Sequence, residues 1–269
     1  MKKILLVGKK SKLCRIYVNK SKINNFDMIS HHEIKKIDYS KYSHLINFAF
    51  NPKLSKQTYK VSMDVDKILS LKAKENKLIY VFFSTRYIYS KLNSLVAKES
   101  IKKNKPENNY GKNKLKIENN LKRTLGNNLL ILRLGTFLFF NLTSKGKLFS
   151  EKMLYNLFKN KRILFDFNKN IYKDFLTDDH FVKNLDFLIN KKITGVYNLS
   201  SGIPIYSEEV ALSVIKGFGQ GIITFKNLNP KAHSFIMSNK KLNAKTKISL
   251  KKQKILDYCL QMGKKLKDE

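Results

Sequence analysis

Cysteine is scarce. The chain has two, Cys14 and Cys259, far apart and in no paired spacing. That excludes a disulfide framework and a cysteine-built zinc or redox site, and it suits a reducing cytoplasm. No run of about 18 apolar residues occurs, so no membrane-spanning helix is expected. The longest apolar window, Leu129 to Leu142, is interrupted by Arg133. The N-terminus enters a strand-like segment at Ile4, without the apolar region and cleavage site of a secretory signal. Arginine is scarce too: five of the 54 basic residues (15, 86, 123, 133, 162). Acidic residues number 20, leaving a net charge of +34. Such a surplus can serve nucleic acid or an anionic surface. Arginine is the better reader of phosphates and bases, however, and the lysines are dispersed through every segment rather than gathered in one helix or tail. The expectation is a compositional bias, with the charge helping to attract an anionic substrate. His31 and His32 have no candidate partners, and no metal site is expected.

What is present is an alternation. The 269 residues, 42% hydrophobic, can bury one or two domains. Short β-prone apolar runs recur at KILLV (3–7), FDMIS (26–30), HLINFAF (44–50), LIYVFF (78–83) and NLLILRL (128–134). Met63 to Lys74 has a helical pattern, with Val65, Ile68, Leu69 and Leu71 proposed as its apolar face. Strands alternating with helices or loops predict a doubly wound parallel sheet. The interval from Gly8 to His44 is short, so one crossover should be trimmed.

The most informative stretch runs from Val81 to Glu118. Tyr110 and Lys114 are four residues apart, hence on one helix face. Ile117, Leu121 and Leu125 continue an apolar stripe behind them. A free tyrosine titrates near pH 10, and an ammonium one turn away favours its phenolate. The pair can then exchange a proton with a sugar hydroxyl or carbonyl. The strand before it ends at Ser84-Thr85, at the carboxyl edge where open α/β sheets bind ligands. Thr85 lies 25 residues before Tyr110.

This passage, Ser84-Thr85-Arg86-Tyr87-Ile88-Tyr89-Ser90 and then Tyr110-Gly111-Lys112-Asn113-Lys114 with Glu118 in register, resembles the extended short-chain dehydrogenase/reductases. The match is to their nucleotide-sugar epimerase, dehydratase and reductase group. The resemblance implies that Thr85 hydrogen-bonds the reacting oxygen and that Tyr110 is the acid/base. Lys114 would hold the nicotinamide ribose and tune the tyrosine, with Ser84, Arg86 and Tyr87 beside the substrate. It extends to Lys173-Asp174-Phe175, where Asp174 would be a structural carboxylate. It also covers Gly195-Val196-Tyr197-Asn198, and Ser207-Glu208-Glu209, where Ser207 would cap a helix.

The implied cofactor is NAD or NADP. The family's G-x-x-G-x-x-G turn falls here on Gly8, Ser11 and Cys14, of which only the first is glycine. Ser11 would serve as helix cap, Cys14 as a small packing residue, and Lys9, Lys10 and Lys12 as phosphate contacts. No acid stands immediately after FDMIS before Glu33, which leaves NADP open. Asp38 is either an adenine contact or a surface turn. Phe48, Ala49 and Phe50 would line the cofactor wall or simply pack the core. Family 4,6-dehydratases carry an Asp-Glu pair directly after the Ser/Thr. Here Arg86 and Tyr87 stand there, and an arginine is no acid or base at neutral pH.

The expected architecture is α/β: a Rossmann-like doubly wound parallel sheet (1–140 with 168–200) and a small C-terminal substrate lobe (141–167 with 201–269). The Lys-rich tail from Lys240 is expected to be helical and solvated. The expected activity is that of an epimerase or ketoreductase on a nucleotide-activated sugar for surface polysaccharide. Expected partners are the nucleotide-sugar and a second copy of the chain in a homodimer, without nucleic acid. Two rivals stay open: a catalytically degenerate relative that binds nucleotide-sugar or a protein without turnover, and, from charge alone, an RNA-binding protein.

Overall fold

The five apolar runs and the segment Gly195–Leu199 form one parallel sheet. The computed structural model describes residues 2–89, 96–101, 105–144, 146–228 and 234–269; Ser90 lies outside them. The chain runs β1 (Lys3–Val7), α1 (Lys12–Lys20), β2 (Phe26–Ile29), β3 (Tyr42–Asn47), α2 (Val65–Glu75), β4 (Ile79–Thr85), β5 (Val96–Ala97), α3 (Asn109–Leu125) and β6 (Leu129–Leu134). It continues through β7 (Thr136–Leu138), α4 (Phe149–Asn160), β8 (Arg162–Phe165), β9 (Tyr172–Thr177), α5 (Asp178–Asn190), β10 (Gly195–Leu199), β11 (Pro204–Tyr206) and α6 (Ser207–Phe218). The last elements are β12 (Ile222–Phe225), β13 (Ile236–Met237), α7 (Lys240–Thr246) and α8 (Lys252–Lys267). The six-stranded order is β10-β6-β4-β3-β1-β2, with every pairing parallel. The chain order reverses between β1 and β3, the place where such sheets open a ligand crevice.

Alternate residues of each strand enter different cores, as the two-residue period requires. Ile4, Leu6, Ile46, Val81, Phe83, Leu130 and Leu132 pack under α1 and α5. Leu5, Val7, Leu45, Tyr80, Phe82, Leu129 and Ile131 pack under α2 and α3. Both faces are covered, which is why these strands read as near-continuous apolar runs. The trimmed crossover is present: two short 3-10 turns, Ile34–Lys36 and Tyr39–Lys41, connect β2 to β3 in place of a helix.

Helix α2 turns a different face inward from the expected one. Asp66, Leu69, Ser70 and Ala73 are buried, whereas Ile68 and Leu71 are about half exposed. The reason is polar. The Asp66 carboxylate accepts from Asn47 Nδ2 at 2.7 Å and from the Tyr80 hydroxyl at 2.6 Å, and a buried carboxylate needs such donors. Helix α3 follows the apolar stripe. Ile117, Leu121 and Leu125 are buried, contributing roughly 2 kcal/mol each. Asn108 caps it, accepting from Gly111 N at 2.8 Å, and Gly126 at φ +53° ends it.

A second core joins α4, α6 and α8 to β7, β8, β9 and β11. The C-terminal tail is not solvated. Ile255, Cys259, Met262 and Leu266 of α8 are buried against Val210 and Val214 of α6. The dispersed lysines of the tail occupy the outer face and hide that stripe. In α6, Ser207 is the first helical residue rather than the cap. Tyr206 holds the cap position, and its N–H donates to Glu209 Oε2 at 3.0 Å. No described helix is long and apolar enough to cross a membrane.

Candidate active site

The carboxyl end of β4 delivers Ser84 and Thr85 to the sheet edge. The chain then turns through Arg86–Tyr89, and the first turn of α3 is pressed on that turn. A Cβ added at Gly111 would lie 2.4 Å from Tyr87 O, so only glycine allows this approach. The approach brings Tyr110 to Thr85, close enough for the Thr85 hydroxyl to act on the phenol. Ser84, Thr85, Arg86, Tyr87 and Tyr110 line one cavity of about 980 Å³. Its far wall is built by β7, α4, β8 and β9, through Phe137, Phe149, Met153, Phe165 and Lys173 among others. The Ser84 and Thr136 hydroxyls, both in that lining, are buried without a hydrogen-bond partner among the described residues.

The electrostatics differ from expectation at one point. The Tyr110 phenol is not lowered by Lys114. Burial pushes it up to about 12, and the neighbouring Thr85 hydroxyl pulls the other way. Lys114 instead donates to Phe83 O at 2.8 Å. Its ammonium lies 4.4 Å from the Phe50 ring centroid and 4.5 Å from that of Phe82. The Phe50 ring also meets Tyr110 edge-on at 5.4 Å. Burial holds Lys114 at about 8, against the pull of Asp66, Asp64 and Glu118. Tyr110 is therefore a protonated phenol at neutral pH.

Of the residues expected at a cofactor, Lys12 lines this cavity, whereas Gly8, Ser11, Cys14, Asp38, Phe48, Ala49, Phe50 and Lys114 do not. Gly8 has φ +101°, and a Cβ there would stand 2.7 Å from Ala49 N, so the β1 turn lies directly on the backbone after β3. Ser11 has the extended backbone of a helix cap, but its side chain caps nothing. Cys14 is fully buried beside Tyr17 in the α1 core, with burial pushing its thiol up to about 11. Phe48 is likewise core, its ring 5.8 Å from Tyr17 and 4.9 Å from Phe83. Ala49 donates its N–H to Asn47 Oδ1 at 2.9 Å. Asp38 follows no strand. It starts a 3-10 turn, accepting from Ser40 Oγ at 2.6 Å, with Lys41 at 3.4 Å. The lysines of the turn are engaged: Lys9 pairs Glu33 at 3.0 Å, and Lys12 pairs Glu151, whose carboxylate is buried at the start of α4.

Two motif residues turn out to be scaffold. Arg133 Nε donates to Glu118 Oε1 at 3.1 Å and Nη2 to Oε2 at 2.7 Å, both side chains being buried. Arg133 Nη1 donates to the Tyr89 hydroxyl at 2.7 Å, which donates to Asn198 Oδ1 at 2.6 Å. This network ties α3, β6 and β10 behind the Thr85–Tyr110 pair. Asp174 is structural too. Its Oδ1 accepts from Ser201 N, Ser201 Oγ and Gly202 N, and its Oδ2 from Met237 N.

Sequence reasoning missed Lys173, Glu151 and Asp66. The signal for Lys173 was its neighbour: on a strand, a residue next to an inward carboxylate faces the other way, here into the cavity.

No family model matches the sequence, and no curated protein matches it. Solved structures do match. UDP-N-acetylglucosamine 4-epimerase from Methanobrevibacter ruminantium, in complex with UDP-N-acetylmuramic acid, superposes at a TM-score of 0.82 with 13% identity, over 98% of this chain and 97% of that one. This chain shares that fold. dTDP-4-dehydrorhamnose reductase from Yersinia enterocolitica gives 0.77 at 15% identity, covering 98% and 100%. UDP-glucuronic acid 4-epimerase from Bacillus cereus, in complex with UDP-glucuronic acid and NAD, gives 0.76 at 16% identity, covering 98% and 99%.

Proposed function

We propose that this protein is an extended short-chain dehydrogenase/reductase that uses NAD or NADP to epimerise or reduce a nucleotide-activated sugar, for surface polysaccharide. The observation that carries the reading is the placement of Thr85 and Tyr110 together in the wall of a cavity of about 980 Å³ at the carboxyl edge of a parallel sheet. The proteins of this fold named above support it: two epimerases and a reductase of nucleotide sugars, one of them in complex with NAD.

A dinucleotide fits the turn after β1. Gly8 takes the left-handed conformation, Ser11 leaves the first N–H groups of α1 uncapped, and no acid stands in that first turn. Those N–H groups favour a pyrophosphate. When bound, the nicotinamide supplies hydride chemistry. The chain's own residues manage the proton. Thr85 orients the Tyr110 hydroxyl, and that hydroxyl gives its proton to the sugar oxygen as C=O becomes CH–OH. In the reverse direction the phenolate takes it back. The phenol held near 12 makes donation the resting role, which suits reduction. Arg86 and Tyr87 follow Thr85, and arginine offers no second acid. The carboxylates of the cavity, Glu107 and Asp166, come from other segments. Dehydration is therefore not the reading.

The test is to incubate the protein with NAD+ or NADPH and a panel of UDP-, GDP- and dTDP-hexoses, reading products by mass. A mass-neutral isomer, or a gain of two hydrogens, is expected. A product lighter by one water would overturn the reaction type. A second reading, binding without turnover, is favoured by the engaged turn lysines and by the Lys114 ammonium held on Phe83 O. No melting shift with any form of NAD(H) or NADP(H), together with no product, would favour it.

A further inference from the structure

Two buried charges from different helices face the same strand. Asp66 stands in the first turn of α2 and Lys114 on α3, and both helices pack on one face of β4. Tyr80 and Phe82, two residues apart on β4, point to that face and are about 7 Å apart along the strand. The Asp66 carboxylate lies at Tyr80, accepting from its hydroxyl at 2.6 Å. The Lys114 ammonium lies over Phe82, 4.5 Å from the ring centroid. Asp66 is 3% exposed and Lys114 5%, so water screens neither. Each is the strongest attraction on the other. Burial pushes Asp66 up to about 6, and Lys114 leads the groups that pull it down. Burial brings Lys114 down to about 8, and Asp66 leads the groups that hold it up. The other groups around Lys114 are engaged or neutral. Glu118 accepts from two Arg133 nitrogens, and Asp64 accepts from the Tyr59 hydroxyl at 2.6 Å. The Lys116 ammonium lies on the Tyr59 ring, 4.6 Å from its centroid. Burial raises Tyr59, Tyr80 and Tyr110, which stay phenols at neutral pH.

We infer that Asp66 is the counter-charge of Lys114, a positioning residue that keeps the ammonium protonated where the ribose of the cofactor is held. The inference rests on the NAD or NADP reading above. Asp66 acts across a gap, because the hydrogen bond of the ammonium goes to Phe83 O at 2.8 Å. A buried lysine without a counter-charge gives up its proton, and a neutral amine holds a hydroxyl less strongly than an ammonium does. A carboxylate at this range, with no water between, favours the ammonium by about tenfold or more. Asp66 is kept charged in turn by its donors: Tyr80, and Asn47 Nδ2 at 2.7 Å, both on Oδ1. Asn47 also accepts from Ala49 N at 2.9 Å, so the same carboxylate steadies the backbone against which the Gly8 turn lies. Asp66→Asn removes the charge while keeping the shape and the acceptor oxygen.

The experiment has two readouts on the full chain, neither of which needs turnover. Isotope-labelled lysine side chains are titrated by NMR, with Lys114 assigned by its loss in Lys114→Met. Its inflection is expected at about 8 in wild type. In Asp66→Asn it should fall to about 7 or below, the tenfold loss of proton affinity argued above. NAD+ and NADP+ are then titrated by calorimetry, and the tighter binder is compared between the two proteins at two pH values. Where the ribose needs the ammonium, apparent affinity follows the protonated fraction of Lys114. At about pH 6 that fraction is near one in both proteins, and affinities should agree within about twofold. At about pH 8 it is roughly one half in wild type and roughly one tenth in the variant, so the variant should bind about fivefold more weakly. Asp66→Glu restores the charge and should recover most of that loss. Where Asp66→Asn does not fold, wild type decides: the Lys114 signal should show a second, smaller step at about 6 as Asp66 takes up its proton, and a signal flat there would overturn the inference. An unchanged Lys114 inflection in the variant would overturn it too, as would an equal loss of affinity at both pH values, which marks a purely structural role. No binding of any form of NAD(H) or NADP(H) to either protein would overturn the cofactor reading instead, and the NMR titration would still decide whether Asp66 and Lys114 are partners.

Discussion

Replacing Gly263 with alanine tests the packing of the lobe that walls the cavity. Gly263 lies on α8 where it crosses α6. An alanine methyl would stand 2.0 Å from Val214 O, 2.8 Å from Phe218 N and 2.9 Å from Val214 C. All three are backbone atoms of α6, so no change of side-chain rotamer relieves the contact. The helices must part by about 1 Å. That strains a close-packed seam at a cost of roughly 1–3 kcal/mol, and it weakens contacts among Val210, Val214, Ile255, Cys259, Met262 and Leu266. Alanine returns about 1 kcal/mol through helix propensity. Because the clash is with backbone, the upper part of the range applies, and the net expectation is a destabilisation of about 2 kcal/mol. Urea unfolding followed by circular dichroism measures it, with Lys264→Ala on the exposed face as control, expected within about 0.5 kcal/mol of wild type. Equal or higher stability in Gly263→Ala would mean that propensity dominates, and would refute the close α6–α8 crossing.

Three further outcomes are expected. Tyr110→Phe should lower turnover by about 10²–10⁴-fold, the range for a proton-transfer group, while cofactor affinity stays within about threefold; retained turnover would remove Tyr110 from the chemistry. Glu118→Gln should destabilise the fold by about 3–5 kcal/mol by leaving the buried Arg133 guanidinium without its counterion, and a change under 1 kcal/mol in a denaturant titration would contradict the network. Lys173 holds its proton less tightly when folded, at about 8, than when unfolded, at about 10.4. Between pH 8 and 10 the unfolded chain thus carries the extra proton, and this lysine's contribution to stability rises with pH. The buried Cys14 and Cys259 thiols, held at about 11 and about 12, act oppositely, so the check is a difference. Stability of wild type minus that of Lys173→Met should rise by about 1 kcal/mol per pH unit across this window, and a flat difference would sink it.

The primary structure determined a good deal. Near-continuous apolar runs such as KILLV and LIYVFF can be buried only in a sheet covered on both sides, so five of the six parallel strands were legible. The i, i+4 stripe of Ile117, Leu121 and Leu125 placed Tyr110 at the start of a helix, and Ser84-Thr85 at the end of a strand put hydroxyls at its edge. Those local signals converge because strand period and helix period are backbone properties that a short window carries. Tertiary structure decided the rest. Periodicity alone pointed to the wrong face of α2, because Asp66 is drawn inward by Asn47 and Tyr80, partners remote in sequence. The tail looked solvated until α6 supplied a surface for its apolar stripe. Lys114 had the spacing to tune Tyr110, yet its ammonium goes to Phe83 O and lies against the ring of Phe50, from the loop after β3. Lys173 and Arg86 line one cavity only because β9 is brought to the space at the end of β4. Charge, burial and counterions depend on contacts between distant segments, and no local pattern encodes them.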